Sequence, residues 1–298
     1  MAEKQIYKFT NDIDEVEVSS LGAPIKVLST DESGISAEYE NPNDKPEFCA
    51  VLCGKKLTLK EKASFSFFRA KPKENYSITV FLPKKLYAAI TVNTASGGVE
   101  ITDESVTAQK FDLNTASGDI VVRAFFEEVR IKSASGSICV SDPTGGTARL
   151  LKINTVSGRV SVDGYKADKF SICSVSGKTE YIGAGGEGDI NVTSGTVDVT
   201  YDDWSGDLKI GAVSGIVNVS FPDESGADVK FDGVSGLVKT DLGNERGMFM
   251  NLGKGTSGEF GGGNKHKVSV SLVSGTVTLA QKCDKECTVD AEPAKDTL

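Results

Sequence analysis

The chain has 298 residues, 39% hydrophobic and 25% charged, a balance that excludes a mainly disordered polymer. No apolar run approaches the ~18 residues of a membrane-spanning helix, and the start, MAEKQIYKFTND, has no apolar signal region. A net charge of -9 argues against nucleic acid as a partner, and the single histidine, His266, excludes a His-ligated metal cluster.

In chain order, residues 1–85 read as an N-terminal β cap continuous with the repeats of residues 86–282. IYKF, EVEVSS and IKVLST form short strands, with Gly22 as a degenerate corner. FCAVLCGKKLTLK forms a hairpin turning at Gly54-Lys55. Residues 55–85 carry nine basic residues against two acidic ones, +7 where the rest of the chain holds -16. Inside this stretch lies Ser64-Phe65-Ser66-Phe67-Phe68-Arg69, and basic residues beside clustered aromatics suit an anionic membrane surface. Lys62, Phe65, Phe67, Phe68, Arg69, Lys71 and Lys73 are therefore candidates for contact with such a surface or with a protein partner. The plainer reading stays beside it: the alternating Phe residues close a core while the lysines remain solvated.

Residues 86–282 form a repeat. Ser-Gly recurs at Ser96, Ser117, Ser135, Ser157, Ser176, Ser194, Ser214, Ser235 and Ser274, at steps of 21, 18, 22, 19, 18, 20, 21 and 39 residues. Ser257-Gly258 divides the long step and could mark a tenth, degenerate rung, so residues 236–274 hold one rung or two. Four residues before each Ser the side chain is always apolar, from Val92 to Val270, and six before, only Gly188 breaks the column. Apolar or β-branched residues also stand three and five after the Ser, and Ala, Val or Thr stands one before. Spacing of two on each side is strand alternation. Units of ~20 residues bury a core only by stacking, which predicts an all-β fold: a parallel β-helix, or solenoid, of nine to ten rungs. Gly97, Gly118, Gly136, Gly158, Gly177, Gly195, Gly215, Gly236 and Gly275 then occupy structural corners that favour φ > 0. The Ser hydroxyls bond backbone at the bend or the Ser of the next rung, and Asn93, Asn114, Asn154 and Asn191 form a partial amide ladder.

The remaining motifs carry little chemistry. Cys49/Cys53 and Cys283/Cys287 are both C-x3-C, but a rod holds the pairs far apart, so no metal site and no cofactor is expected. Cys139 and Cys173 read as free thiols on rung strands. Gly183, Gly185 and Gly188 satisfy G-x-G-x-x-G, yet a strand comes next where a dinucleotide site needs a helix, so the stretch reads as a flexible loop. Asp103-Glu104 and Asp202-Asp203 are acidic neighbours, and adjacent strand residues point to opposite faces. Residues 283–298 read as a polar C-terminal tail.

TVNTASGGVEITD, FDLNTASGDIVV and KINTVSGRVSV resemble the strand repeats of the bacterial DUF4097-type putative-adhesin family, and YSITVFL with Pro83-Lys84-Lys85 resembles its lead into the first repeat. The resemblance covers about residues 10–280 and implies a β-helical fold, an adhesin-like label and, for some relatives, a link to envelope stress in Gram-positive bacteria. It carries no catalytic residues. The departure is the missing export signal, which points to a cytoplasmic or membrane-apposed protein, or a cell-surface one if a signal once preceded Met1. The expectation is thus a non-enzymatic scaffold that contacts membrane or protein partners, with a polysaccharide-active β-helix enzyme as the alternative.

Overall fold

The alternation on either side of each Ser-Gly folds as two short strands separated by a bend, and successive units stack with like residue over like. The computed structural model describes residues 3–41, 48–61, 76–222, 226–242, 245–250, 256–260 and 265–281. Every regular element among them is a strand.

The chain begins with β1 (Glu3–Phe9), β2 (Glu15–Ser20), β3 (Ile25–Thr30), β4 (Ile35–Asn41), β5 (Phe48–Cys53), β6 (Lys56–Glu61) and β7 (Ser77–Pro83). Paired arms come after these: β8 (Leu86–Thr94) with β9 (Val99–Ile101), β10 (Thr107–Thr115) with β11 (Ile120–Arg123), β12 (Phe126–Ser133) with β13 (Ser137–Ser141), and β14 (Thr147–Thr155) with β15 (Arg159–Asp163). In β16 (Lys166–Gly185) and β17 (Glu187–Asp203) strand pairing runs through the bend, so both arms form one element. Then come β18 (Leu208–Ala212) with β19 (Ile216–Phe221), and β20 (Gly226–Gly233) with β21 (Leu237–Leu242). The last strands are β22 (Glu245–Met250), β23 (Thr256–Phe260), β24 (Lys265–Leu272) and β25 (Thr276–Gln281).

Two ladders of parallel strands run along the solenoid-like stack. In the first, β10 sits on β8 with Phe111 opposite Ile90 and Leu113 opposite Val92; in the second, β11 sits on β9 with Ile120 opposite Val99. The four columns at four and six before and three and five after the Ser face inward and are buried in every copy. Gly188, the one break in them, is filled from its neighbours: a Cβ there would lie 2.7 Å from Leu208 Cδ1 and closer still to the Phe170 ring.

Spatial order departs from chain order at both ends. At the C-terminal end β24 and β25 pair with β18 and β19 on one side and with β20 and β21 on the other. The last unit in sequence is therefore the second to last in space. The end unit is closed by β22 on β21 and β23 on β20, both antiparallel. Ser257-Gly258 is thus not a tenth corner: it lies within β23, opposite Lys230 and Val229, and this explains the step of 39. The N-terminal end mirrors this. The unit of β2 and β3 lies between that of β8 and β9 and that of β6 and β7. β5 and β4 close that end antiparallel, with β1 outside β4. The hairpin turns at Gly54-Lys55. The glycine-rich stretch after Thr179 is strand broken only at Gly186, which adopts φ +67°.

Candidate binding groove

Most bends are tied twice to the unit beside them. The Ser135 N–H and hydroxyl both donate to the Ala116 carbonyl, at 3.0 and 3.3 Å. The hydroxyls of Ser157, Ser176, Ser214 and Ser274 repeat the bond at 3.2 Å onto Ala134, Val156, Thr193 and Val213. Of the two bonding modes read for these hydroxyls, the structure shows the backbone one. Held this way, the residue before each Ser points outward. The sequence places that column among the repeat's apolar positions, but here it is exposed throughout.

In spatial order the exposed column reads Ala95, Ala116, Ala134, Val156, Val175, Thr193, Val213, Val273, Val234. Side chains are small toward the N-terminal end and larger beyond it, and Val234 is 79% exposed. Beneath it lies the column two before the Ser. Thr115, Ser133 and Thr155 turn their hydroxyls onto the carbonyls of Ser117, Ser135 and Ser157, at 2.9, 2.9 and 3.1 Å. From Val192 onward this floor becomes apolar, with Ala212 and Leu272. The far wall is the column three before the Ser. Asn114 Nδ2 donates to Asn93 Oδ1 at 3.0 Å, but Lys132 and Cys173 interrupt the amide ladder before Asn154 and Asn191.

These columns enclose a groove. Its larger part, ≈ 950 Å³, runs from Lys132 to Val234, and a smaller part of ≈ 480 Å³ runs from Ser19 to Ala134. They meet at Lys132, which makes no ion pair among the described residues. The groove thus offers hydroxyl and amide groups at one end, a cation at the junction, and valines over an apolar floor at the other.

Lys60 and Glu61, the last described residues before position 62, line the smaller part. Lys62, Phe65, Phe67, Phe68, Arg69, Lys71 and Lys73 lie outside the described residues, as do Cys283 and Cys287. The corner glycines divide into two kinds. Gly118, Gly136, Gly158 and Gly177 adopt φ of 111–132°, and Gly275 has φ 159°, at the border of extended backbone. Gly97, Gly195, Gly215 and Gly236 do not, and there the neighbouring unit leaves little room: a Cβ on Gly215 would lie 2.7 Å from Val192 Cγ1.

The acidic neighbours do not assemble into a site. Asp103 accepts from the Ser29 N–H and hydroxyl at 2.8 and 2.6 Å and from the Ser105 N–H at 3.0 Å, a tie between its loop and β3. Asp202 and Asp203 are both exposed. Asp168, Lys169, Glu187, Asp207 and His266 line a separate recess of ≈ 540 Å³, where Lys169 beside Glu187 lowers the pKa of its carboxyl. Among the described residues no three acidic, His or Cys side chains are placed to hold a metal ion.

Residues 13–280 match the family Toastrack DUF4097. A structure described as a putative adhesin from Parabacteroides distasonis ATCC 8503 is similar at 15% identity and a TM-score of 0.55, over 93% of this chain and 97% of that one. A second from the same strain, described as a putative lipid binding protein, is similar at 15% identity and a TM-score of 0.53, over 93% and 96%. At such identity the likeness is one of fold. Both are named for adhesion or binding, neither for catalysis, and no curated protein matches the chain.

Proposed function

Because the chain belongs to the Toastrack DUF4097 family, we propose that it is a non-enzymatic, adhesin-like binding scaffold whose groove takes an extended, mainly apolar chain such as the acyl portion of a lipid. The observation that carries this is the exposed valine column over an apolar floor, since contiguous apolar surface left open to water marks a binding surface. Covering one half-exposed valine contributes about 1 kcal/mol, and several in line give useful affinity without a deep pocket. Lys132, where the polar and apolar parts meet, suits an anionic headgroup. One fold neighbour is described as a putative lipid binding protein, in line with the same reading.

The scaffold beneath is a parallel β-helix, supported by the in-register parallel pairs, with residues 1–85 as a cap continuous with it and 86–282 as the repeat; residues 283–298 lie outside the described residues. Work at an anionic membrane surface, as an accessory to envelope-stress sensing, fits a stacked scaffold whose sequence carries the basic, Phe-containing stretch 62–73.

Flotation with neutral and anionic liposomes, at low and high salt, tests this on the whole protein. Binding to anionic vesicles that falls at least tenfold in a Val175→Asp, Val213→Asp double variant supports the groove. Loss only on changing Phe68, Lys71 and Lys73 moves the contact to the basic segment, and binding to neither vesicle overturns the proposal.

A further inference from the structure

Four strands at the ends of the stack have one neighbour each among the described residues: β1 on β4, β5 on β6, β22 on β21 and β23 on β20. An open strand edge is a template for another chain, and charge on the edge normally blocks it. β1 carries Glu3, Lys4 and Lys8, β22 carries Glu245 and Arg246, and β23 carries Glu259. β5 is Phe-Cys-Ala-Val-Leu-Cys, without a charge, and Val51 is 52% exposed.

Backbone geometry restricts what can join it. β5 and β6 flank the two-residue turn Gly54-Lys55, with Cys53 opposite Lys56. In such a hairpin the flanking pair exchanges both hydrogen bonds and the pairs then alternate. Cys49, Val51 and Cys53 therefore bond to β6, while Phe48, Ala50 and Leu52 aim their N–H and C=O groups at the open edge. An antiparallel strand must match that alternation. A second copy of β5 does so in the register centred on Val51. Val51 then covers the partner's Val51, and Ala50 exchanges bonds with the partner's Leu52. Cys49 faces the partner's Cys53 in the closer, non-hydrogen-bonded kind of pair, with Cα atoms about 4.5 Å apart.

We propose that two copies of this chain associate end to end through β5, extending the β6–β5 ladder of each into one sheet. A charged partner of either sign gains nothing on an uncharged edge, whereas an identical strand covers the exposed valine and offers matched donors and acceptors. The seam is one strand long, well below the ~1,200 Å² of a stable interface, so association is weak and concentration-dependent. It does not depend on what fills the groove.

The test uses the full chain with Cys139, Cys173, Cys283 and Cys287 changed to serine. A copper–phenanthroline oxidant accepts the two electrons, and two protons are released, as each Cys49–Cys53 disulfide forms between chains. The expected product is a covalent dimer, reversed by reductant and absent from Cys49→Ser and from Cys53→Ser alone. Sedimentation of the reduced wild-type protein gives a monomer–dimer equilibrium, weakened at least tenfold by Val51→Lys. Ala50→Pro, which removes an edge-facing N–H and leaves the hairpin bonds in place, weakens it likewise. Circular dichroism identifies variants that keep the fold. A reduced protein that stays monomeric at ~200 µM, where even a weak interface associates, overturns the proposal. So does an equilibrium untouched by both variants, or a cross-link that survives either serine substitution.

Discussion

At the scale of single residues, glycine serves two purposes that one dipeptide conceals. Gly136 has φ 112°, and a Cβ there would run into the Gly118 carbonyl oxygen, whereas Gly145 has φ 71° with nothing within 4 Å of a Cβ. Gly145→Ala therefore tests backbone strain alone, about 1 kcal/mol. Gly136→Ala adds a collision with backbone and should cost at least ~2 kcal/mol more. Urea titration of both variants measures the difference, and equal losses would mean that the units part easily. Ser-Gly marks the corner but not its φ: Gly118, Gly136, Gly158 and Gly177 need φ > 0, while Gly97, Gly195, Gly215 and Gly236 carry the same dipeptide without it. The crowding at Gly215 is not readable there either, because it depends on Val192, in the preceding unit. Charge acts locally too. Burial pushes the Asp103 carboxyl up, but the Ser29 and Ser105 bonds and Lys84 outweigh it and hold the group below its ordinary value. Lys55 lowers Asp12 and Asp14 in the same direction. A carboxyl lowered by folding stabilises the fold above its unfolded pKa and ceases to as the pH falls through the folded one. Melting temperature should therefore be flat near neutrality and fall below pH ~4, with a shallower fall in Asp103→Asn.

At the scale of elements, one tie skips the neighbouring unit. The Tyr165 hydroxyl donates to the Phe126 carbonyl and accepts from the Phe126 N–H, both at 2.8 Å, pinning the start of β12 from two units away. Tyr181 in turn donates to the Tyr165 carbonyl. Tyr165→Phe keeps the ring but leaves a buried N–H and C=O at Phe126 without this partner. It should cost about 1–3 kcal/mol, read as a lower urea midpoint at unchanged slope. No spacing rule points to this bond, since its partners stand 39 residues apart. The inward arms were legible because alternation beside Ser-Gly is a local pattern. The groove was half legible: its exposed column appears in sequence as Ala, Val or Thr before each Ser, but only the bend's geometry turns that column outward. The basic, Phe-containing segment drew attention by composition, while Val175, Val213 and Val273, which line the groove, resembled ordinary repeat residues.

At the scale of the molecule, the two ends are built by the same device run in opposite chain directions. Near the N-terminus the order is inserted unit, antiparallel closure, end unit; near the C-terminus it is end unit, antiparallel closure, inserted unit. Sequence periodicity records the nine Ser-Gly units, misses the two formed by β2 with β3 and β6 with β7, and is silent on spatial order, so the mirrored ends were not legible. The consequence is mechanical. In a simple stack both ends of the repeat would fray, exposing unpaired edge and core. Here β24 and β25 have partners on both sides, so opening them requires the end unit to leave first. Amide protection should therefore follow space and not sequence. By hydrogen-exchange mass spectrometry, a peptide spanning 265–281 should exchange at least tenfold more slowly than the amides of 245–250 and 256–260, strands that lie earlier in the chain but outermost in the stack. The mirror-image expectation is slower exchange in 15–30 than in 35–41 and 48–53. Protection that declines smoothly from residue 242 to residue 281 would show that the inserted unit does not lock the end, and would remove the reason for the inverted order.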